Sequence, residues 1–174
     1  MKKIILISLV ILVGILLYKE NQKDTIVIPD SAIRLRVIPN SNSSYDQKMK
    51  IKVKDYLENN TYQLLKETKN IEQARNTIKE NIPDIKDNID NIFIENDYNM
   101  NYDINFGYNY FPEKEYRGIE YQEGYYESLV ISIGKAEGDN WWCVLFPNLC
   151  LVDLENKDNN EYKLWVIETI NKIF

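Results

Sequence analysis

The chain contains no histidine and only two cysteines among its 174 residues. The lack of histidine excludes Ser-His-Asp and Cys-His catalytic arrangements within the chain, and it removes the commonest zinc ligand. Two cysteines are too few for a four-cysteine zinc site, and they do not stand in C-x-x-C redox spacing. No phosphate-binding glycine loop is present. We therefore expect no catalytic residue, no cofactor and no metal ion, although 27 acidic residues leave a carboxylate pair open as acid and base.

Positive charge is also scarce. The chain carries 21 basic and 27 acidic side chains, which gives a net charge of −6. Proteins that bind nucleic acid draw much of their affinity from lysines and arginines that neutralise phosphates. The charge balance therefore argues against nucleic acid as a partner.

The longest apolar run stands at the N-terminus, which reads MKKIILISLVILVGILLYKENQKD. Lys2 and Lys3 precede an uncharged stretch from Ile4 to Tyr18, which as a helix would span only ~22 Å of a ~30 Å hydrocarbon layer. This pattern favours a signal peptide over residues 1–20, with the positive end inside and the remainder exported. Large residues end the run where a cleavage site needs small ones, so an uncleaved anchor stays open as an alternative, as does a buried helix.

The rest of the chain divides into a short linker and one domain. The linker spans residues 21–32 and begins with a polar stretch that leads to Pro29, whereas residues 33–174 are long enough to bury a core of their own. The domain begins with Ile33–Ile38, where apolar and basic side chains alternate as in a half-buried strand. Turn residues at 39–43 end this strand.

Helical spacing of apolar residues follows in two stretches. The first begins at the capping pair Ser44 and Gln47, and the second begins at Asn70 and Gln73. Pro83 removes a backbone donor, so we expect it to kink or end the second helix, with another short helix behind it.

The apolar period changes to two in the second half of the chain. YNMNYDINFGYNYF (Tyr98–Phe111) places an apolar or aromatic side chain at every even position, with Gly107 as a candidate bulge. Leu129–Ile133 and the WWCVLF run predict two more strands, and residues 164–173 predict a C-terminal helix. The segregation of helices from strands indicates an α+β fold, with a mostly antiparallel sheet of about four strands and helices packed against it.

The segment GDNWWCVLFPNLCLVD (Gly138–Asp153) holds both cysteines. A tight turn at Phe146-Pro147 would set Cys143 opposite Cys150 across a hairpin and within disulfide reach. Outside the cytosol such a pair is expected to oxidise. Two reduced cysteines buried as small hydrophobic side chains are the alternative. A catalytic thiol has no histidine to activate it.

Trp141 and Trp142 are adjacent, so their side chains face opposite sides of a strand. An exposed tryptophan is a typical anchor for a protein partner, whereas two buried ones would belong to the core. We predict a partner-binding surface that uses one of the two tryptophans together with residues of the first strand and its turn. Those residues are Arg34, Arg36, Asn40 and Ser41.

Two blocks of the chain resemble the stage II sporulation protein R family. IRLRVIPNSNSSYDQKMKIKVKDYL (Ile33–Leu57) resembles the strand, turn and basic helix with which the family's domain begins. GYYESLVISIGKAEGDNWWCVLFPNLCLVD (Gly124–Asp153) resembles its central stretch, in which WWCVLFP beside a second cysteine is the most specific string. Asn148 stands where the family has a second proline, and Asp139 precedes Asn140 where many members have a histidine. The absence of that histidine argues against an essential catalytic role for it.

The resemblance implies a signalling protein of endospore-forming bacteria, made in the forespore and exported into the space between the forespore and mother-cell membranes. There it would trigger a membrane-embedded aspartic protease, stage II sporulation protein GA, which cleaves the pro-sequence from pro-sigma-E. The expected partners are this protease and, through the N-terminal segment alone, the membrane. The oligomeric state stays open.

Two other functions remain open at this point. An extracytoplasmic cell-wall hydrolase would use paired carboxylates, and a structural module of the envelope would keep its leader as an anchor. The signalling interpretation fits the scarcity of catalytic residues better, because a protein that switches another protein's protease needs a surface rather than an active site.

Overall fold

The computed structural model describes residues 29, 31–116, 119–147, 149–150, 164, 166–169 and 171–172. The predicted signal segment 1–20 and nearly all of the predicted linker lie outside these residues. None of the helices in the described ranges combines the length and the apolar character needed to span a bilayer.

Helices and strands are largely segregated along the chain. The elements are β1 (Ile33–Ile38), α1 (Ser44–Leu65), α2 (Ile71–Glu95), β2 (Tyr102–Phe111), β3 (Lys114–Tyr116), β4 (Ile119–Tyr121), β5 (Gly124–Ile133) and β6 (Trp141–Phe146). Residues 164, 166–169 and 171–172 are also helical, within the predicted C-terminal helix.

Four strands form one open mixed sheet in the order β2-β5-β1-β6. β2 pairs antiparallel with β5, and β6 pairs antiparallel with β1, whereas the central strands β1 and β5 are parallel. β3 and β4 form a separate two-stranded hairpin. The α+β class and the four-stranded, mostly antiparallel sheet are therefore confirmed, while the parallel central pair and the hairpin were not expected.

Both helices pack on one face of the sheet. α1 lies over β1 and β6, and α2 lies against α1 and β2. The core between the layers is aliphatic, and each buried Leu or Ile contributes about 1.5–3 kcal/mol of transfer free energy. Its most deeply buried side chains are Ile33, Leu35, Val37, Val53, Leu57, Ile78, Ile85, Ile89, Leu129, Ile131 and Ile133.

The two helix starts agree with the capping signals to within one residue. In α1 the N-cap is Ser43 rather than Ser44, because the Ser43 hydroxyl accepts a hydrogen bond from the backbone N–H of Asp46 at 3.1 Å. In α2 the Asn70 side chain accepts from the backbone N–H of Gln73 at 2.9 Å, as predicted. In both cases a side chain satisfies a backbone donor that the first turn leaves unpaired.

α2 continues through Pro83, so the prediction of a separate third helix is wrong. Pro83 is exposed, while Ile78 and Ile85 on either side of it are buried in the core. A proline inside a helix removes one backbone hydrogen bond. Packing of the apolar stripe on both sides outweighs that loss, because most helix stability in proteins comes from tertiary packing.

β2 pairs with β5 residue by residue along its whole length, so the bulge predicted at Gly107 is absent. Tyr102, Ile104 and Phe106 pack against the helix-side core, as the alternation predicted. Tyr108 and Tyr110 stand in the same register but are 71% and 47% exposed. The period of two predicted which side of the strand each residue faces, but it did not predict how far the helix layer extends over that side.

Candidate functional site

β6 places the adjacent tryptophans on opposite faces of the sheet, as the alternation predicted. Trp141 packs against the helix-side core, and the Lys54 Nζ of α1 lies 5.4 Å from its ring centroid. Trp142 lies on the other face, with its ring centroid 5.3 Å from those of Phe111 and Tyr121. Both indole rings are half-buried, so neither is the fully exposed anchor that the sequence left open.

Arg34 is the central residue of the face that points away from the helices. Its side chain is only 1% exposed, so β1 is buried on both faces at this position, whereas the alternation predicted a half-buried strand. The guanidinium Cζ lies 3.3 Å from the Tyr126 ring centroid, 5.1 Å from that of Phe111 and 5.3 Å from that of Trp142. Rings from three other strands therefore cover the arginine, and cation–π contacts of this kind are strongest when they are desolvated.

The charge of Arg34 has no carboxylate counterpart among the described residues. Its Nε and Nη1 atoms are buried and make no hydrogen bond. Burial lowers the pKa of Arg34, and the nearby Tyr126 opposes that shift. A buried guanidinium that makes no ion pair with any described residue is an expensive arrangement, because an uncompensated buried charge carries a large desolvation cost.

Arg36 follows on the same face and is half-buried. Its Nη1 donates to the backbone oxygen of Tyr110 at 3.3 Å, and its Cζ lies 5.6 Å from the Phe111 ring centroid. Its Nε is buried without a hydrogen bond. Burial lowers the pKa of Arg36 as well.

Lys114 on the β3–β4 hairpin adds a third cation. Its Nζ lies 5.5 Å from the Trp142 ring centroid. Burial lowers the pKa of Lys114, and repulsion from Arg36 and Lys50 lowers it further, while Asp139 acts in the opposite direction. We call the whole group the cation–aromatic cluster. Its members are Arg34, Arg36, Phe111, Lys114, Tyr126 and Trp142.

Asn40 and Ser41, the predicted contact residues of the β1–α1 turn, donate hydrogen bonds to the buried carboxylate of Asp46. Asp46 accepts hydrogen bonds from Ser41 Oγ at 2.5 Å, from Tyr98 Oη at 2.6 Å and from Asn40 Nδ2 at 3.0 Å. Burial of Asp46 by itself raises its pKa, but these hydrogen bonds outweigh that effect and bring the pKa to about 2. These contacts give both residues a structural role, and their contact with a partner stays a prediction.

The same turn is bound to the loop between β5 and β6. The Asn40 side chain accepts from the backbone N–H of Lys135 at 3.0 Å. Gly134 and Gly138 allow this approach, since a Cβ on Gly134 would lie 2.4 Å from Asn40 Oδ1 and one on Gly138 would lie 2.3 Å from the Ser41 oxygen. The turn therefore fixes the point at which β6 begins, and with it the position of the tryptophans.

Cys143 and Cys150 form a disulfide with their Cα atoms 5.4 Å apart, so neither offers a free thiol. The bond closes the hairpin behind β6, where the backbone N–H of Leu149 also donates to the Val144 oxygen at 3.0 Å. Among the described residues, no group of three or more cysteines or carboxylates is arranged to hold a metal ion.

Sequence reasoning missed an exposed aromatic group at the far end of the β2–β5 pair. Tyr108 and Tyr125 are each 71% exposed, and Tyr110 stacks edge-on against Tyr125 at 5.7 Å between centroids. Nearby, Arg75 of α2 makes two hydrogen bonds to the Glu127 carboxylate, at 2.6 and 2.8 Å. Glu127 inside an otherwise apolar strand was the signal that the core ends at this point.

Comparisons with known proteins agree on one family. A family model described as stage II sporulation protein R matches residues 29–156. The stage II sporulation protein R of Bacillus subtilis strain 168 is 36% identical over 138 residues, which cover 79% of this chain and 62% of that protein. The chain thus spans less than two thirds of the length of the curated relative. No solved structure matches the chain.

Proposed function

Since the chain belongs to the stage II sporulation protein R family, we propose that it is an exported signal of sporulation and not an enzyme. It crosses the forespore membrane behind its N-terminal segment and reaches the space between the two membranes. There it binds the membrane-embedded aspartic protease stage II sporulation protein GA, so that pro-sigma-E is processed in the mother cell. The family match is the observation that carries this proposal.

The disulfide between Cys143 and Cys150 supports the export step. Disulfides persist in oxidising compartments and are rare in the cytosol, where thiols are kept reduced. The bond also closes the hairpin that begins with Trp141 and Trp142, so the compartment that oxidises the cysteines completes the candidate surface.

The cation–aromatic cluster supports action by contact. It brings Trp142 and the half-buried Arg36 against the same Phe111 ring, and tryptophan and arginine are among the residue types that most often dominate binding energy in protein interfaces. A ligand shifts a protease from its inactive to its active form only by binding the active form more tightly. Our proposal is therefore that the cluster contacts a surface of the protease that is complete only in the active form.

Deletion of the gene followed by complementation tests the function. Pro-sigma-E should accumulate unprocessed in the deletion strain. The full chain should restore processing, and so should a chain without residues 1–20 that is supplied outside the forespore membrane. Restoration by a chain confined to the forespore cytosol would contradict the proposal, because contact with the protease requires export.

The tryptophans give a matched pair of variants for the contact surface. We expect Trp142→Ala to be exported normally but to lose processing. Trp141→Ala, on the helix side, should act mainly by lowering the amount of folded protein. Export and processing are scored separately, and full processing by both folded variants would contradict a tryptophan anchor.

Two outcomes would favour the other functions. Turnover of purified peptidoglycan that depends on one particular Asp or Glu would indicate a cell-wall hydrolase. An exported product that keeps its leader, found by N-terminal sequencing, together with normal pro-sigma-E processing in the deletion strain, would indicate a tethered module of the envelope.

A further inference from the structure

Three cations of this acidic protein lie together against the aromatic rings on the sheet face that points away from the helices. The chain has a net charge of −6, yet Arg34 and Lys114 both lie against the Trp142 ring, and Arg36 lies against Phe111 beside it. The ion pairs of the described residues lie elsewhere, within the helices and between α2 and Glu127. In the described part of the chain, none of the three cations of the cluster makes an ion pair within 4.0 Å, although Asp139 attracts Lys114 from farther away.

Arg34 is the buried residue of this site. The Tyr126 ring covers it at 3.3 Å from its Cζ, so it does not reach a ligand directly. Its charge nevertheless acts through a dry aromatic layer, where electrostatic interactions are stronger than in water. Arg34 therefore provides a fixed positive potential beneath the two cations that solvent reaches.

Those two cations are Arg36, which is half-buried, and Lys114, which is exposed. Among the described residues Arg36 makes one hydrogen bond, from Nη1 to the Tyr110 oxygen, so donors of its planar fork remain that none of these residues binds. We propose that Arg36 and Lys114 bind a carboxylate from an acidic segment of the partner protein, while Trp142 packs against a neighbouring side chain of that segment. This inference rests on the proposed function and names the chemistry of its contact.

The neighbouring charges favour the same ligand. Burial lowers the pKa of Lys114, repulsion from Arg36 and Lys50 acts in the same direction, and Asp139 acts in the opposite direction. A bound carboxylate would relieve this repulsion, so binding and charge compensation act in the same direction. Opposed charges across an interface give specificity and fast association.

The composition of the site fits a carboxylate on a peptide better than an anionic membrane surface. Polybasic segments that bind anionic lipids carry about 4–8 clustered lysines or arginines. Here two accessible cations stand on a half-buried aromatic surface, within a protein whose net charge repels a negative membrane. Arginine pairs with a carboxylate through two parallel hydrogen bonds, and the indole ring supplies contact area for an adjacent side chain.

A charge-matched pair of double variants tests the inference in sporulating cells. Arg36→Gln with Lys114→Gln removes two positive charges from the cluster, and Lys48→Gln with Lys52→Gln removes two from the exposed side of α1. We expect the first variant to be exported normally and to lose pro-sigma-E processing by at least about tenfold. The second should process at the wild-type rate. Equal processing by the two exported variants would overturn the inference.

Lys114→Gln alone keeps the test informative if the double variant fails to fold, because this side chain is exposed and its loss leaves the core intact. It should still reduce processing, and wild-type processing by this variant would count against the carboxylate contact. Charge reversal gives a second readout. Suppressors of Arg36→Glu should replace an Asp or Glu in the extracytoplasmic part of the partner, whereas suppressors confined to other positions would contradict the inference.

Vesicles containing phosphatidylglycerol distinguish a lipid headgroup from a protein carboxylate. Purified full-length protein and the Arg36→Gln, Lys114→Gln variant should associate with these vesicles equally, because the leader is the membrane segment in both. A loss of association in the variant would assign the cluster to the membrane and overturn the inference. Failure of the wild-type chain to restore processing would instead overturn the proposed function itself.

Discussion

At Arg34 and Leu35 both faces of the central strand β1 are buried, but one face carries a charged side chain among aromatic rings and the other is aliphatic. Leu35 and its aliphatic neighbours face the helices and are 0% exposed. Arg34, one residue away, is 1% exposed among the rings of Phe111, Tyr126 and Trp142. The helix side gains stability from apolar burial. The other side buries a charge that has no counterion among the described residues, which stability alone does not favour. The helix-side face maintains the fold, and the other carries the surface for which we propose a ligand.

The largest expected effect is the loss of packing on the helix side. Leu35→Ala should lower the free energy of unfolding by about 2–5 kcal/mol, because it leaves a cavity in a core that α1 and β5 hold rigid. Arg36→Met on the other face should change it by less than about 1 kcal/mol, since it loses one long hydrogen bond but relieves a desolvated charge. Denaturant unfolding of the purified variants measures both. Equal losses would show that the two faces contribute alike to stability.

The second largest effect on the free energy of unfolding should come from removal of the disulfide. Replacing Cys143 and Cys150 together by alanine should lower the free energy of unfolding by about 2 kcal/mol, since the bond closes only a small loop. Reducing agent should lower the stability of the wild-type protein by a similar amount and leave the double variant unchanged. A response of the variant to reductant would show that the measured loss has another cause.

Local patterns predicted the helix side well. The alternation of Ile33–Ile38 and the stripe of α2 each follow from a period that a few neighbouring residues define. The tryptophans fell on opposite faces for the same reason. Such patterns depend only on residues that are close in the chain, so they can be recognised without knowing the topology.

The cation–aromatic cluster was predicted only in part. The sequence suggested Arg34, Arg36 and Trp142 as candidates, but it did not suggest Phe111, Tyr126 or Lys114. Phe111 and Tyr126 lie on β2 and β5, and they meet Arg34 only because β5 pairs in parallel with β1 between β2 and β6. Lys114 lies on the separate β3–β4 hairpin and contacts Trp142. A parallel pairing joins segments that are distant in the chain, and no local period encodes it. The burial of Arg34 was missed for the same reason.

The β1–α1 turn should differ from the two faces of the sheet in making stability depend on pH, because its residues hydrogen-bond to the Asp46 carboxylate. The pKa of Asp46 is about 2 in the folded protein, below its ordinary value near 4 in an unfolded chain. Its contribution, on the order of 2 kcal/mol, is therefore present above about pH 4 and is lost as the pH falls toward 2. Asp46→Asn should flatten this part of the stability profile, and the exposed Asp103→Asn should not. An unchanged acid profile in Asp46→Asn would show that the carboxylate is not held as the geometry indicates.

The smallest expected effect is that of replacing Tyr108, which differs from Tyr126 mainly in how far it is exposed. Tyr126 is 7% exposed and covers Arg34, whereas Tyr108 is 71% exposed on the opposite face of the sheet, where the described helices leave it uncovered. Tyr108→Ser should change the free energy of unfolding by less than about 0.5 kcal/mol, because an exposed side chain gives up little packing. Pro-sigma-E processing should also stay at the wild-type level, because Arg75, the described cation near this tyrosine, is already paired with Glu127. If the variant folds normally and loses processing, the contact surface lies at the exposed tyrosines, and the buried charge beside Trp142 needs another explanation.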